Sequence, residues 1–127
     1  MNKLTPEQLV LLNKKLVGEE KQQLLRVDND ELTEITEIPF QTDRDFYRYR
    51  RTKEKAAKLA IIIVKRKPFL EANRETAVLS MLTLLLINGI KLVEYSEDVE
   101  ELYKYLEEAE TDEVCNWIDS HLAGNKK

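Results

Sequence analysis

Residues 56–89, AAKLAIIIVKRKPFLEANRETAVLSMLTLLLING, decide the fold of this chain. The stretch holds two strongly apolar segments separated by a polar segment that contains Pro68. Each apolar segment is hydrophobic almost all round, which is typical of a helix buried inside a domain. Pro68 ends the first helix, and Gly89 suits the C-terminus of the second, which runs from about Asn73 to Asn88. The stretch therefore predicts a central hairpin of two buried helices.

The flanking segments predict further helices. Thr5, Pro6 and Gln8 form a capping-box start for a first helix that Gly18 ends, with an inward stripe of Leu9, Leu12 and Leu16. A short second helix with Leu32 and Ile35 inward is stopped by Pro39. The first hairpin helix is expected to run from Asp43 to about Arg66, and two last helices to start at Ser96 and at Thr111 or Asp112. Together these segments predict an all-α bundle of about six helices.

The composition limits the class of protein. The chain has 43% hydrophobic and 35% charged residues, with three Gly and three Pro, which favours one packed helical domain over residues 1–127 and disfavours an all-β one. The net charge of -4 argues weakly against general nucleic-acid binding, because nucleic-acid-binding domains are usually basic. The single cysteine, Cys115, excludes an intramolecular disulfide and favours a reducing, cytoplasmic setting. No signal-peptide pattern or membrane-spanning run is visible, so no membrane association is expected.

Three smaller features have simple structural interpretations. His121 is expected to be an exposed tail residue, and Cys115 and Trp117 to be packing residues. The aromatic and basic run at residues 46–51 suggests a partner surface or a half-buried helix face rather than a nucleic-acid site. Tyr95, Tyr103 and Tyr105 lie in an acidic stretch and are candidates to line a partner groove.

The polar segment inside the hairpin, residues 67–77 (KPFLEANRETA), carries the candidate chemistry. Backbone N–H groups at the start of a helix are unpaired and lie at the positive end of its dipole, so they bind phosphate readily. Asn73 and Arg74 lie on that first turn, and Lys67 adds a positive charge at the other end of the loop. Glu71 is placed to hold a divalent cation that bridges phosphates. Phe69 is expected to be a buried anchor.

This segment resembles the signature of Fic/Doc proteins, H-x-F-x-[D/E]-[G/A]-N-[K/G]-R. Phe69, Glu71, Ala72 and Asn73 match it in order and spacing. Ala72 followed by Thr76-Ala77 is most similar to the Doc, or death-on-curing, branch, whose motif reads D-A-N-K-R-T-A. The leading L-T-P-E-Q-L helix, the P-F-Q segment and the N-G stop also resemble Doc-like toxins, so the resemblance covers most of residues 4–122.

The resemblance implies a fold of about six helices that binds ATP with Mg²⁺, the loop cradling the phosphates. It places Ala72, Asn73, Arg74 and Glu75 at the nucleotide and Glu71 at the metal. Family members transfer phosphate or AMP to a hydroxyl of a protein substrate such as a translation factor. Doc-like toxins are neutralised by an antitoxin protein. The segment at residues 39–41 falls where the family has a flap that aligns the target chain.

Two departures from the signature leave the chemistry open. Lys67 stands where the family has its general-base His, and Glu75 where it has the closing Arg that contacts the phosphates. We expect a Doc-like toxin-family protein in which Lys67 and Asn73 are the catalytic residues. A lysine acts as a general base near neutral pH only when its pKa is lowered by about 3 units from the usual value. The alternative is a catalytically inactive Fic/Doc-fold module that acts through an antitoxin or similar partner. A third hypothesis makes Lys67 itself a nucleophile or modification site.

Overall fold

The computed structural model describes residues 2–18, 29–40, 52–69, 71–92 and 99–122. Within these ranges the chain forms six helices and one short 3-10 turn. They are α1 (Pro6–Val17), α2 (Asn29–Glu37), the 3-10 turn (Ile38–Phe40), α3 (Thr52–Arg66), α4 (Asn73–Ile87), α5 (Val99–Glu107) and α6 (Thr111–Ser120). The β-type pairing found in these ranges is a single antiparallel bridge between Leu92 and Leu122. The prediction of an all-α bundle is therefore confirmed.

The hairpin of α3 and α4 forms the centre of the bundle, and these two helices share its most extensive contact. Helix α3 also packs against α5, α6 and α2, while α1 packs against α4. The buried apolar side chains of the hairpin are the core of the molecule; among them are Leu59, Ile63, Met81, Leu84 and Leu85, each no more than 2% exposed. Full burial of side chains of this kind stabilises a fold by about 1.5–3 kcal/mol each before the entropy cost is counted.

The predicted boundaries of α1 are confirmed by its caps. The backbone N–H of Gln8 donates to Thr5 Oγ1 at 3.1 Å, and Gln8 Oε1 accepts from the Thr5 N–H at 2.9 Å, which completes the capping box. At the other end Gly18 takes a φ of 91°, a value that glycine adopts without the steric cost other residues meet. Its N–H donates to Lys14 O at 2.8 Å.

The predicted inward stripe of α1 is wrong at Leu16, which is 44% exposed. Helical periodicity places Leu16 on the same face as Leu9, but Leu16 lies in the last turn of α1, where the bundle covers little of the helix. The position that is fully buried instead is Asn13, one turn after Leu9. A polar side chain therefore occupies a core position of this helix.

The segment around Pro39 agrees with its prediction. Helix α2 ends at Glu37, two residues before Pro39, and Ile38–Phe40 forms a 3-10 turn in which Pro39 is buried. The Phe40 ring lies within 5.2 Å of Lys3 Nζ and 5.9 Å of Lys55 Nζ. Several predictions concern residues outside the described ranges. These are Gln41 of the predicted flap, the predicted helix starts at Asp43 and Ser96, the aromatic and basic run at residues 46–51, and Tyr95 of the predicted partner groove.

His121 is not the exposed tail residue that the sequence suggested. Its ring stacks on Trp117 with centroids 4.0 Å apart, and its Nδ1 lies 2.7 Å from Trp117 O, because the chain is still turning at the end of α6. Trp117 is buried as predicted, and Cys115 is half-buried. In the described ranges no helix combines the length and apolarity needed to cross a bilayer.

Candidate functional site

Among the described residues of the loop between α3 and α4, two have left-handed backbone conformations. Lys67 directly follows α3 and has a φ of 48°, and its N–H still donates to Ile63 O at 2.9 Å. Ala72 precedes α4 with a φ of 61° and a ψ of 36°. The left-handed backbone conformation costs a residue with a Cβ about 1–2 kcal/mol, so other contacts must hold the loop in this shape. Between the two, Phe69 is 4% exposed and anchors the loop in the core, as predicted.

One such contact is a pair of hydrogen bonds between Asn73 and Phe69. Asn73 Nδ2 donates to Phe69 O at 2.9 Å, and Asn73 Oδ1 accepts from the Phe69 N–H at 3.0 Å. The carboxamide therefore satisfies both backbone polar groups of Phe69 from the first turn of α4.

A second set of contacts comes from α1. Asn13 is fully buried, and its Nδ2 donates to Glu71 O and to Thr76 Oγ1, both at 2.9 Å. Thr76 is also fully buried, and its N–H donates to Ala72 O at 2.8 Å. The loop is thus fixed at Phe69, Glu71 and Ala72. Asn13 is not among the site residues predicted from the sequence, although an amide four residues after Leu9 in an apolar stripe is a signal that identifies it.

The loop opens onto a groove of about 760 Å³. Its walls are the C-terminal end of α3, the loop, the first turn of α4 and the C-terminal end of α5 with the turn that follows it. The lining residues are Ile61, Val64, Lys65, Lys67, Ala72, Asn73, Arg74, Glu75, Leu106, Glu107, Glu108 and Ala109. The volume lies within the range of about 300–1,000 Å³ that is common for small-ligand sites.

The groove brings together most of the site residues predicted from the sequence. Lys67, Ala72, Asn73, Arg74 and Glu75 all line it. Glu71, the predicted metal ligand, is exposed and does not line it, while its carbonyl is bound by Asn13. Among the described residues no group of three or more His, Cys, Asp or Glu side chains is arranged to hold a metal ion. The contribution of α5 to the groove was not predicted, because nothing in the sequence places α5 next to the loop.

The charges around the groove are mixed. Lys65, Lys67 and Arg74 bring three positive side chains to it, and Glu75, Glu107 and Glu108 bring three carboxylates. Lys67 is exposed, so burial does not supply the desolvation that a lysine base needs. A ligand that enters this groove meets cations from α3, the loop and α4, and carboxylates from α4, α5 and the turn after α5.

Arg74 is held against α5. Its guanidinium carbon lies 4.4 Å from the centre of the Tyr103 ring, and its Nη1 lies 3.7 Å from Glu107 Oε2. Both the cation–π contact and the ion pair are on the surface, where each contributes about 1 kcal/mol or less. Arg74 can therefore leave this position at little cost when a stronger anion is close by.

No protein-family model matches this chain, and no curated protein is significantly similar to it in sequence.

Proposed function

We propose that the groove binds the phosphates of a nucleotide such as ATP. We further propose a Doc-like toxin-family protein that transfers phosphate or AMP to a protein hydroxyl, with Lys67 in place of the usual His. The observation that carries the proposal is that five residues of the motif line one groove of suitable size at the start of α4. Two of them belong to residues 67–72, which we call the motif loop, and three to the first turn of α4. The proposal unites the residues that the Fic/Doc resemblance singled out with a site that has room for a nucleotide.

Phosphate binding follows from the start of α4. The N–H groups of Asn73, Arg74 and Glu75 are the first three of the helix and have no acceptor within it. They lie at the positive end of the helix dipole, and Lys67 and Lys65 also line the groove. Mg²⁺ is commonly held by one or two carboxylates together with phosphate oxygens, so Glu71 or Glu75 would be its protein ligand and the ion would neutralise phosphate charge.

In the transfer reaction, Lys67 is proposed to accept the proton of the target hydroxyl. The hydroxyl oxygen then forms a bond to the γ or the α phosphorus of ATP. The bond from that phosphorus to the leaving ADP or pyrophosphate breaks at the same time. A lysine that only holds the phosphates would leave the positioning contribution intact but lose the contribution of a general base, which is about 10²–10⁴-fold in rate.

A second candidate function is favoured by Glu75 and the exposure of Lys67. Glu75 brings a carboxylate into the groove at the position where the signature has a phosphate-binding Arg. A carboxylate repels phosphate, and Lys67 lacks the burial that a lysine base requires, so both features favour a catalytically inactive module. Such a module would act by binding a protein partner, with an antitoxin as the partner that the resemblance suggests.

Label transfer distinguishes the two candidates. The full-length protein is incubated with cell lysate and Mg²⁺ and with ATP labelled at either the α or the γ phosphate, beside Lys67→Ala and the charge-matched control Lys15→Ala. Lys15 is an exposed lysine on α1 that does not line the groove. Transfer of one label that is lost in Lys67→Ala and kept in Lys15→Ala supports catalysis and identifies the transferred group.

Calorimetric titration with ATP and Mg²⁺ tests the binding step separately. Binding without transfer of either label supports the inactive module, and absence of binding by folded protein contradicts the proposed phosphate site. Intact-mass measurement after long incubation with ATP addresses the third hypothesis, since a covalent adduct on Lys67 would support it and an unmodified mass would contradict it.

A further inference from the structure

Asn13 joins α1 to the motif loop over a long separation in sequence. Its two amide hydrogens reach Glu71, 58 residues later, and Thr76, 63 residues later, each at 2.9 Å. Asn13 and Thr76 are both fully buried. The two hydrogen bonds of this buried carboxamide fix the orientation of the groups that accept them. An apolar side chain of similar volume would fill the same space without fixing that orientation.

The two acceptors lie on either side of Ala72, the residue with the left-handed backbone. Fixing Glu71 O sets the orientation of the peptide group that leads into Ala72, and fixing Thr76 sets the first turn of α4. The N–H groups of Asn73, Arg74 and Glu75 lie between these two fixed points. Asn13 itself does not line the groove. Any effect it has on a ligand there must therefore pass through the loop.

We infer that Asn13 is a positioning residue for the groove: through Glu71 O and Thr76 Oγ1 it holds the first-turn N–H groups of α4 in the arrangement that receives a phosphate. The inference rests on the proposed phosphate binding for its ligand, while the effect on the loop stands on the hydrogen bonds alone. It predicts that loss of the Asn13 amide loosens the loop specifically and weakens nucleotide binding, beyond what a general loss of stability produces.

The test compares Asn13→Leu with Leu9→Ala in the full chain. Leu9 is fully buried one turn earlier on α1, so its truncation weakens the packing of α1 without removing a hydrogen bond to the loop. Amide hydrogen exchange is read at Phe69 and Thr76, whose N–H groups are bonded to Asn73 Oδ1 and Ala72 O, and at Val114 as a distant reference. Asn13→Leu is expected to speed exchange at Phe69 and Thr76 at least tenfold relative to Val114, and Leu9→Ala to leave that ratio unchanged.

Asn13→Asp supplies a second variant of nearly the same shape. A carboxylate at this position can only accept, so it faces Glu71 O without a donor, whereas a protonated carboxyl donates one hydrogen bond. Burial favours the neutral form of such a carboxyl. The excess exchange of Phe69 in Asn13→Asp, measured against wild type at each pH, is therefore expected to shrink as the pH is lowered from 8 to about 5. An excess that does not change with pH would contradict the donor role of Asn13.

Titration with ATP and Mg²⁺ completes the test and separates the two proposals. If the wild-type protein binds, Asn13→Leu is expected to bind at least tenfold more weakly and Leu9→Ala within about threefold of wild type. Equal affinity of the two variants would overturn the inference even if the phosphate site is real. If the folded wild-type protein does not bind, the proposed phosphate site fails, and the exchange ratio at Phe69 alone decides whether Asn13 holds the loop.

Discussion

The side chain of Asn73 closes the motif loop onto the backbone of Phe69. The carboxamide donates to Phe69 O at 2.9 Å and accepts from the Phe69 N–H at 3.0 Å. The separation of four residues between Phe69 and Asn73 in the sequence is the one at which a residue on the first turn of α4 can reach back to the buried anchor. The spacing in the motif thus has a structural cause that needs no ligand.

Asn73→Ala is expected to lower the free energy of unfolding by about 1–3 kcal/mol, because it leaves two backbone groups of a buried residue without their partners. Urea unfolding followed by circular dichroism measures the change. Asn116→Ala on the exposed face of α6 is the control and is expected to stay within about 0.5 kcal/mol of wild type. Equal effects of the two substitutions would show that the closure contributes nothing to stability.

Ala72→Gly is expected to stabilise the protein by about 0.5–1 kcal/mol. Glycine adopts a φ of 61° without the penalty that the Cβ of alanine meets, although its unfolded chain is more flexible, which offsets part of the gain. Ala57→Gly, in the middle of α3, is the opposed control and is expected to destabilise. Thermal unfolding of the three proteins checks the order, and a lower melting temperature for Ala72→Gly would contradict it.

Glu107→Gln is expected to strengthen binding of ATP or pyrophosphate by up to about fivefold. The Glu107 carboxylate lies 3.7 Å from Arg74 Nη1 and competes with a phosphate for this guanidinium, and a surface ion pair of this kind contributes about 1 kcal/mol or less. Glu108→Gln removes the same charge from the same groove at a residue outside that ion pair. If the two substitutions change the affinity equally, only the net charge of the groove matters and Arg74 is not released.

The sequence predicted the helices of the bundle well because their signals are local. The capping box at Thr5, the interruption at Pro68 and the stop at Gly89 are read from a few neighbouring residues, and the described helices α1 and α4 begin or end where these signals place them. The apolar segments of α3 and α4 have no polar face, so their central position could also be predicted.

The parts that could not be predicted depend on contacts between distant segments. Leu16 is apolar and lies on the same helix face as Leu9, but that end of α1 is poorly covered. Asn13 is a polar residue of a type usually found on the surface, but it lies in the core. The wall that Glu107 and Ala109 form beside the motif loop depends on how α5 docks against α3. Hydrophobic periodicity identifies a helix face but does not tell which element covers each turn of it.

The half-buried thiol of Cys115 is expected to make the free energy of unfolding fall at alkaline pH. Burial raises its pKa from an ordinary 9.0 to about 11, with smaller contributions from the Glu54 and Asp119 carboxylates. The raised value means that the unfolded thiol ionises as the pH passes 9, while the folded one stays protonated until about 11. Between these two values the unfolded state has lost a proton that the folded state keeps, so stability falls as the pH rises.

Cys115→Ala is expected to remove this contribution. Free energies of unfolding measured in urea at pH 8, 9, 10 and 11 should fall more steeply for the wild type than for Cys115→Ala above pH 9, and in parallel below it. The other groups that titrate in this range, the lysines and tyrosines, are common to both proteins and cancel in the difference. Parallel curves over the whole range would mean that the thiol is as well solvated in the folded state as in the unfolded one, and that burial does not control its ionisation.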